Sequence, residues 1–198
     1  MVKEEAIWIE KVIDKLDIKQ AIDVLDVGSS TKAFRTEIQP YIDEYVFAPL
    51  RNKNNNIFYL DKKQDEGVDY VFDINTMSPD SLNRKFDLVF CCSLLEHVND
   101  RSKMCRLLVS FLKSKGYLLV TVPEAYRYHP DPIDTMFRPR MNQLIKLFNG
   151  FDDFDVIEQK VVVINEKQRY LKGIKEALRY KLPFLRWRIN CLLLRKNK

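Results

Sequence analysis

The chain carries two histidines, His97 and His129. Imidazole gains and loses a proton near neutral pH, so each is a candidate acid or base. His129 is followed in quick succession by Asp131, Asp134 and Arg138. Two uses of His129 are open: it accepts the proton of a reacting hydroxyl or amine, with Asp131 beside it, or it pins a proline-rich loop. His129 and Asp131 could also ligate a divalent ion, but no further ligand spacing supports one, and no metal is expected. Arg138 could grip a phosphate or carboxylate on an acceptor, with Asp134 as a second polar contact. Tyr126 and Tyr128 flank the loop and either form a stacking wall or pack on a neighbouring helix. His97 reads as structural, starting a helix and orienting the turn before it.

A second group of residues could hold a cofactor. Asp26-Val27-Gly28-Ser29-Ser30 puts a glycine where backbone must approach a ligand closely, or where a strand simply turns into a helix. A full G-x-G-x-x-G fingerprint is absent, which disfavours a pyrophosphate-bearing dinucleotide and hence a nicotinamide dehydrogenase. Asp61 could accept both hydroxyls of a ribose or be a solvated loop residue. Asp73 could meet an adenine amino group or form a turn ahead of Asn75.

The elements that must position these residues follow from periodicity. Residues 5–18 place Ile9, Val12, Ile13 and Leu16 on one helical face. Short β-branched runs at 22–27, 57–60, 68–72 and 86–92 predict strands, ending at Gly28, Asp61, Asp73 and Ser93. A helix carrying Met104, Leu107, Leu108 and Phe111 is stopped by Gly116. A strand at 117–122 is closed by Pro123, and a helix carries Met141, Leu144, Ile145 and Phe148. Strands at 155–164 and 189–195 end the pattern. Residues 39–56, with Pro40, Pro49 and an asparagine run, read mostly as loop. Alternating strands and helices predict an α/β fold with helices on both faces of a parallel sheet. Ligands then sit at the carboxyl ends of the strands, where both residue groups fall.

Composition sets bounds. The 198 residues are 46% hydrophobic and 31% charged, enough for one globular domain spanning 1–198. No apolar run reaches the ~20 residues that span a bilayer, and the N-terminus lacks an apolar stretch with a cleavage site. A cytoplasmic protein is expected. Cys91, Cys92, Cys105 and Cys191 form no C-x-x-C pair and read as buried free thiols. The formal charge is +5, a weak pointer to an acidic or membrane-adjacent partner.

Several motifs occur in order: Leu25-Asp26-Val27-Gly28-Ser29, Asp61, Gly67 to Asp73, Phe86-Asp87-Leu88-Val89, Leu94-Leu95-Glu96-His97-Val98, and Gly116 to Pro123. Together they resemble the class I S-adenosylmethionine-dependent methyltransferases, over roughly residues 20–150. The L-E-H-V run and the stretch from Tyr128 to Pro139 resemble a bacterial subset associated with glycans and the cell envelope. The resemblance implies a Rossmann-like sheet, mostly parallel with an antiparallel edge strand. It also implies S-adenosylmethionine as cofactor, with Asp26 and Gly28 at its methionine moiety and Ser29 and Ser30 completing the turn. Asp61 would meet the ribose, Asp73 the adenine, and Ser93 and Leu94 the back of the cofactor. Methyl transfer to a hydroxyl or amine of a small polar acceptor, a sugar or glycan, follows. Tyr128, Asp134 and Arg138 would then contact that acceptor.

Two departures matter. Ser30 and Lys32 stand where the family usually has its second and third glycines, and Lys32 either holds the cofactor carboxylate or crowds the turn. An alternative is therefore a non-catalytic scaffold or binding module in an envelope-assembly complex. The stretch 166–188 is basic, aromatic and amphipathic. It reads either as a packed helix with a solvated basic face or as a contact with the inner face of a membrane. Nucleic acid is disfavoured for want of a recognition motif.

Overall fold

The computed structural model describes residues 1–16, 20–129, 133–165 and 186–197. Helix α1 (Lys3–Lys15) buries Ala6, Trp8, Ile9, Val12 and Ile13. The Val2 N–H at its start donates to Glu5 Oε2 at 2.9 Å, satisfying one of the free donors that every helix start leaves. Strand β1 (Asp23–Val27) follows. Its Val24, Leu25 and Val27 are fully buried, as expected of a strand covered on both faces.

Two wide helical turns, Phe34–Ile38 and Asp43–Phe47, lead into helix α2 (Ala48–Asn52). The expectation of a loop over 39–56 is corrected here. Ile42, Val46, Phe47 and Leu50 recur at helical spacing and are buried against α1. Pro49 does not prevent this, because it sits in the first turn of α2, where no backbone N–H is required.

Strands β2 (Asn56–Asp61), β3 (Tyr70–Val71) and β4 (Phe86–Cys92) complete one half of the sheet. β3 is shorter than the 68–72 expected, because it is a sheet edge with Val71 and Phe72 partly exposed. Helix α3 (Arg101–Ser110) starts at Asp100, whose Oδ1 accepts the Lys103 N–H at 2.9 Å. His97 therefore does not start it, and instead ends a separate short turn, Leu95–His97. Gly116 does not stop it either. The chain has already entered β5 (Leu112–Ala125), where Phe86 pairs with Leu112 and the register shifts before Tyr117 pairs with Leu88. Helix α4 (Met141–Asn149) and strands β6 (Phe154–Val163) and β7 (Arg188–Lys196) finish the fold.

The sheet order is β3-β2-β1-β4-β5-β7-β6. β1 through β5 pair in parallel, and β7 is antiparallel to both β5 and β6. Side chains alternate between two cores. Leu25, Val27 and Val89 face α3 and α4, while Val24, Leu88 and Phe90 face α1 and the 43–52 helices. The α/β expectation, helices on both faces of a mostly parallel sheet with an antiparallel edge pair, holds. All four thiols are free and Cys91, Cys105 and Cys191 are buried. Burial pushes those three upward, which keeps them protonated and unreactive. Asp131 and residues 166–185 of the basic stretch lie outside the described residues.

Candidate active site at the switch point of the sheet

Strand order reverses direction at β1, which has β2 on one side and β4 on the other. A crevice at the carboxyl ends of such strands is where open α/β sheets take their ligands. The turn after β1 curls over the end of β2: the Gly28 and Ser29 N–H groups donate to the Leu60 carbonyl at 2.8 and 3.1 Å. Gly28 has φ +80°, and a Cβ there would stand 3.0 Å from Leu94. The positive φ favours glycine at this position. Ser30 adopts φ +57° and Ser93 φ +50°, left-handed conformations that cost a residue with a side chain roughly 1–2 kcal/mol. Hydrogen bonds hold both. The Ser30 N–H donates to Asp61 Oδ2 at 2.7 Å, and the Ser93 N–H to Thr121 O at 3.0 Å and Oγ1 at 3.1 Å.

Beneath the turn lies Arg35, a residue that sequence reasoning missed. It is buried, and its guanidinium donates to Ser29 O at 3.0 Å, Ser30 O at 2.8 Å and Gly67 O at 2.7 Å. It also stacks 3.7 Å over the Tyr59 ring. Gly67, at φ +75°, leaves room for it, because a Cβ would stand 2.9 Å from Arg35 Nη2 and 2.7 Å from Lys32 Cβ. Burial pushes the Asp26 carboxyl up to about 7, against the opposing pull of the Arg35 charge. Lys32 neither faces the crevice nor obstructs it. Its Nζ donates to Glu66 at 2.7 Å in an exposed ion pair, and its N–H donates to Glu66 O. A groove of about 760 Å³ runs along β2 and shares Arg35 and Gly67 with the turn.

Gly28, Ser29, Ser30, Asp61, Ser93 and Leu94 are thus brought together at the carboxyl ends of β1, β2 and β4, with Asp26 near the end of β1. Asp61 Oδ1 also accepts the Lys63 N–H at 3.0 Å. Asp73 stands apart from that network and closes a turn, accepting the Asn75 N–H at 2.9 Å and its side-chain amide at 2.8 Å. Those bonds hold its carboxyl below the ordinary range.

The loop after β5 docks on the other side of residues 93–97. The Thr135 N–H and hydroxyl both donate to Glu96 O at 2.9 Å, and the Asn190 side chain donates to Pro139 O at 2.7 Å. Asp134 organises the loop. It accepts the His129 N–H at 3.0 Å, the Met136 N–H at 2.8 Å, and an Arg138 fork at 2.7 and 3.1 Å. Against the upward push of burial, these bonds and the Arg138 charge hold Asp134 down at about 2. Asp134 and Arg138 therefore spend their main polar capacity on each other and on the loop. Burial chiefly lowers His129, so its ring is neutral at pH 7. Tyr128 is 60% exposed, and Ile133 and Met136 in the same stretch of sequence are exposed too.

Comparison with known proteins gives this arrangement its class. The model of a methyltransferase domain family matches residues 5–152. The chain belongs to that family, and its fold is the Rossmann-like one of S-adenosylmethionine-dependent methyltransferases. A curated relative, the 25S rRNA (adenine(2142)-N(1))-methyltransferase of Saccharomyces cerevisiae, is 35% identical over 77 residues. That match covers 37% of this chain and 23% of the yeast protein, so the chain spans about a quarter of that relative's length. The [4+2]-cyclase SpnF is similar in fold, with TM-score 0.63 and 15% identity, over 96% of this chain and 80% of that one. A putative S-adenosylmethionine-dependent methyltransferase from Listeria monocytogenes gives TM-score 0.58 and 12% identity over 99% of both chains. Coclaurine N-methyltransferase bound to N-methylheliamine and SAH gives 0.59 and 16%, over 96% and 72%. Identities this low speak to fold, and the cyclase shows that one fold hosts different reactions. No helix among the described residues is long and apolar enough to cross a membrane.

Proposed function

We propose that this chain methylates a hydroxyl or amine of a small polar acceptor, a sugar or glycan. The cofactor lies across the crevice between Gly28 and Leu94, and the acceptor enters beside His129. The supporting observation is the juxtaposition itself. Residues 93–97 border the Gly28 turn on one flank, where the Leu94 side chain fills the space a Cβ on Gly28 would need. On the other they carry the β5 loop, through the bonds of Glu96 O to Thr135. The methyl donor is a sulfonium, so the protein's main task is to align acceptor, methyl carbon and sulfur.

Each residue has a part in this reading. Asp26 faces the cofactor ammonium. Asp61 exchanges its bonds to the turn for the ribose hydroxyls, and Asp73 meets the adenine once its turn on Asn75 opens. His129 acts on the acceptor's proton side, as a neutral ring with Nε2 available. Tyr128 stacks on the acceptor, while the Asp134–Arg138 fork holds the loop that presents both. Asp131, which lies outside the described residues, keeps its part beside His129 from the sequence alone.

The test is calorimetric titration with S-adenosylmethionine, followed by a transfer assay on sugar, amine and adenosine-containing acceptors. The adenosine arm covers the acceptor class named for the yeast relative. Cofactor binding with transfer to a sugar supports the reading. Binding with transfer only to the adenosine acceptor replaces the sugar. No binding by a folded sample favours the scaffold alternative.

A further inference from the structure

Glu96 is fully buried, and neither of its carboxylate oxygens has a hydrogen-bond partner. An acceptor left so costs about 1–3 kcal/mol, more when charged. Two imidazoles stand beside it. His97 Nε2 lies 3.9 Å from Glu96 Oε1, and the His97 and His129 rings meet edge to face with centroids 5.0 Å apart. Each ring has its other nitrogen committed. His97 Nδ1 donates to the Ile133 carbonyl. His129 Nδ1 lies 3.1 Å from both Arg127 O and Asp134 Oδ2, which can only accept. Both protons are therefore on Nδ1, and both Nε2 lone pairs are left to accept.

Three groups that need a positive partner thus converge, with candidate ligand atoms all within 4.8 Å of one another. We propose that Glu96, His97 and His129 bind a divalent first-row transition ion at the acceptor side of the crevice. Two imidazoles and one carboxylate suit zinc, iron, cobalt, nickel or manganese better than magnesium or calcium. The carbonyl and carboxylate behind the rings are the supports that metal-bound histidines characteristically have. An ion about 2.1 Å from each ligand needs a slight contraction of the cluster. Three protein ligands would leave coordination positions open, and one suits an oxygen of the acceptor, whose proton a bound cation would make easier to lose to solvent water. This rests on the proposed function and replaces one part of it: His129 serves as a ligand of the ion that holds the acceptor, in place of acting on the acceptor's proton. It also departs from the expectation that no metal is used.

The test uses full-length protein without a histidine tag, stripped with a chelator and titrated with Co²⁺ as a visible probe, then with Zn²⁺ in competition. The expected result is one ion per chain with about micromolar or tighter affinity. Glu96→Gln and His129→Ala should each weaken it by at least about 10-fold. Circular dichroism and S-adenosylhomocysteine binding should stay unchanged in both variants. His129 is partly exposed, so its variant carries the test if Glu96→Gln does not fold. No stoichiometric binding overturns the site, and so does binding that survives the substitutions, which would place the ion on the thiols or the surface. Metal binding is read without the methyl donor. Loss of cofactor binding with the ion retained would therefore overturn the functional reading and leave the site standing.

Discussion

The two flanks of residues 93–97 are built on opposite terms. On the cofactor flank, the backbone groups of the turn have partners. Gly28 and Ser29 bond to Leu60, Ser30 to Asp61, and Arg35 caps the carbonyls of Ser29, Ser30 and Gly67. On the acceptor flank, side chains do the work, and the innermost one, Glu96, has no partner. A satisfied cradle keeps its shape before anything binds. A buried group left without a partner marks a place where something outside the fold can supply one. In the function proposed above, the first flank holds a common cofactor and the second meets whatever is specific to this chain.

If the flanks are separable, variants on each should fail differently. The largest effect is expected from Arg35→Met. It leaves buried carbonyls and the Asp26 carboxyl without their cation, costing about 3 kcal/mol or more of stability. Thermal melting and cofactor titration should both show the loss. An unchanged melting temperature would mean the cradle does not depend on Arg35. His129→Ala should slow methyl transfer by roughly 100-fold and leave cofactor affinity unaltered. Full activity would reduce His129 to loop structure. Asp61→Ala should weaken S-adenosylmethionine by on the order of 1–3 kcal/mol through lost charged hydrogen bonds.

A smaller effect is expected from pH. Asp26, held up to about 7 by burial and faced by Arg35, Asp61 and the N-terminal amine, is largely protonated at pH 6 and ionised at pH 8. The cofactor ammonium prefers the anion, so affinity should rise across that interval, by less than about 10-fold. A flat profile would separate Asp26 from the ammonium. The smallest effect is Ser30→Gly. It relieves a left-handed serine at φ +57° and should add up to about 1 kcal/mol of stability, read by chemical denaturation.

The same contrast explains what was legible in the sequence. β1, β4 and the core of β5 are buried on both faces, so they read as short, mostly apolar β-branched runs, and their ends located the candidate site. The Gly28 turn and Asp61 were legible because strand ends in α/β sheets carry ligands. Arg35 was not, because a buried arginine leaves no periodic signal. Its partners are carbonyls, and its clearance comes from Gly67, 32 residues away. The 43–52 helices were obscured by Pro40, Pro49 and the asparagine run, although Ile42, Val46, Phe47 and Leu50 already had helical spacing. Glu96 was visible as part of L-E-H-V, but its isolation from any donor is a tertiary property. So is the pairing of His97 with His129, which are separated in sequence by an entire strand and helix.

The central claim is that the crevice between Gly28 and Leu94 binds the methyl donor independently of the acceptor flank. The most direct measurement is calorimetric titration of S-adenosylmethionine into the wild-type chain, Asp61→Ala and His129→Ala. One site per chain is predicted, with equal affinity in wild type and His129→Ala and weakened affinity in Asp61→Ala. Absence of binding by the folded wild type, or equal binding in all three, would contradict it.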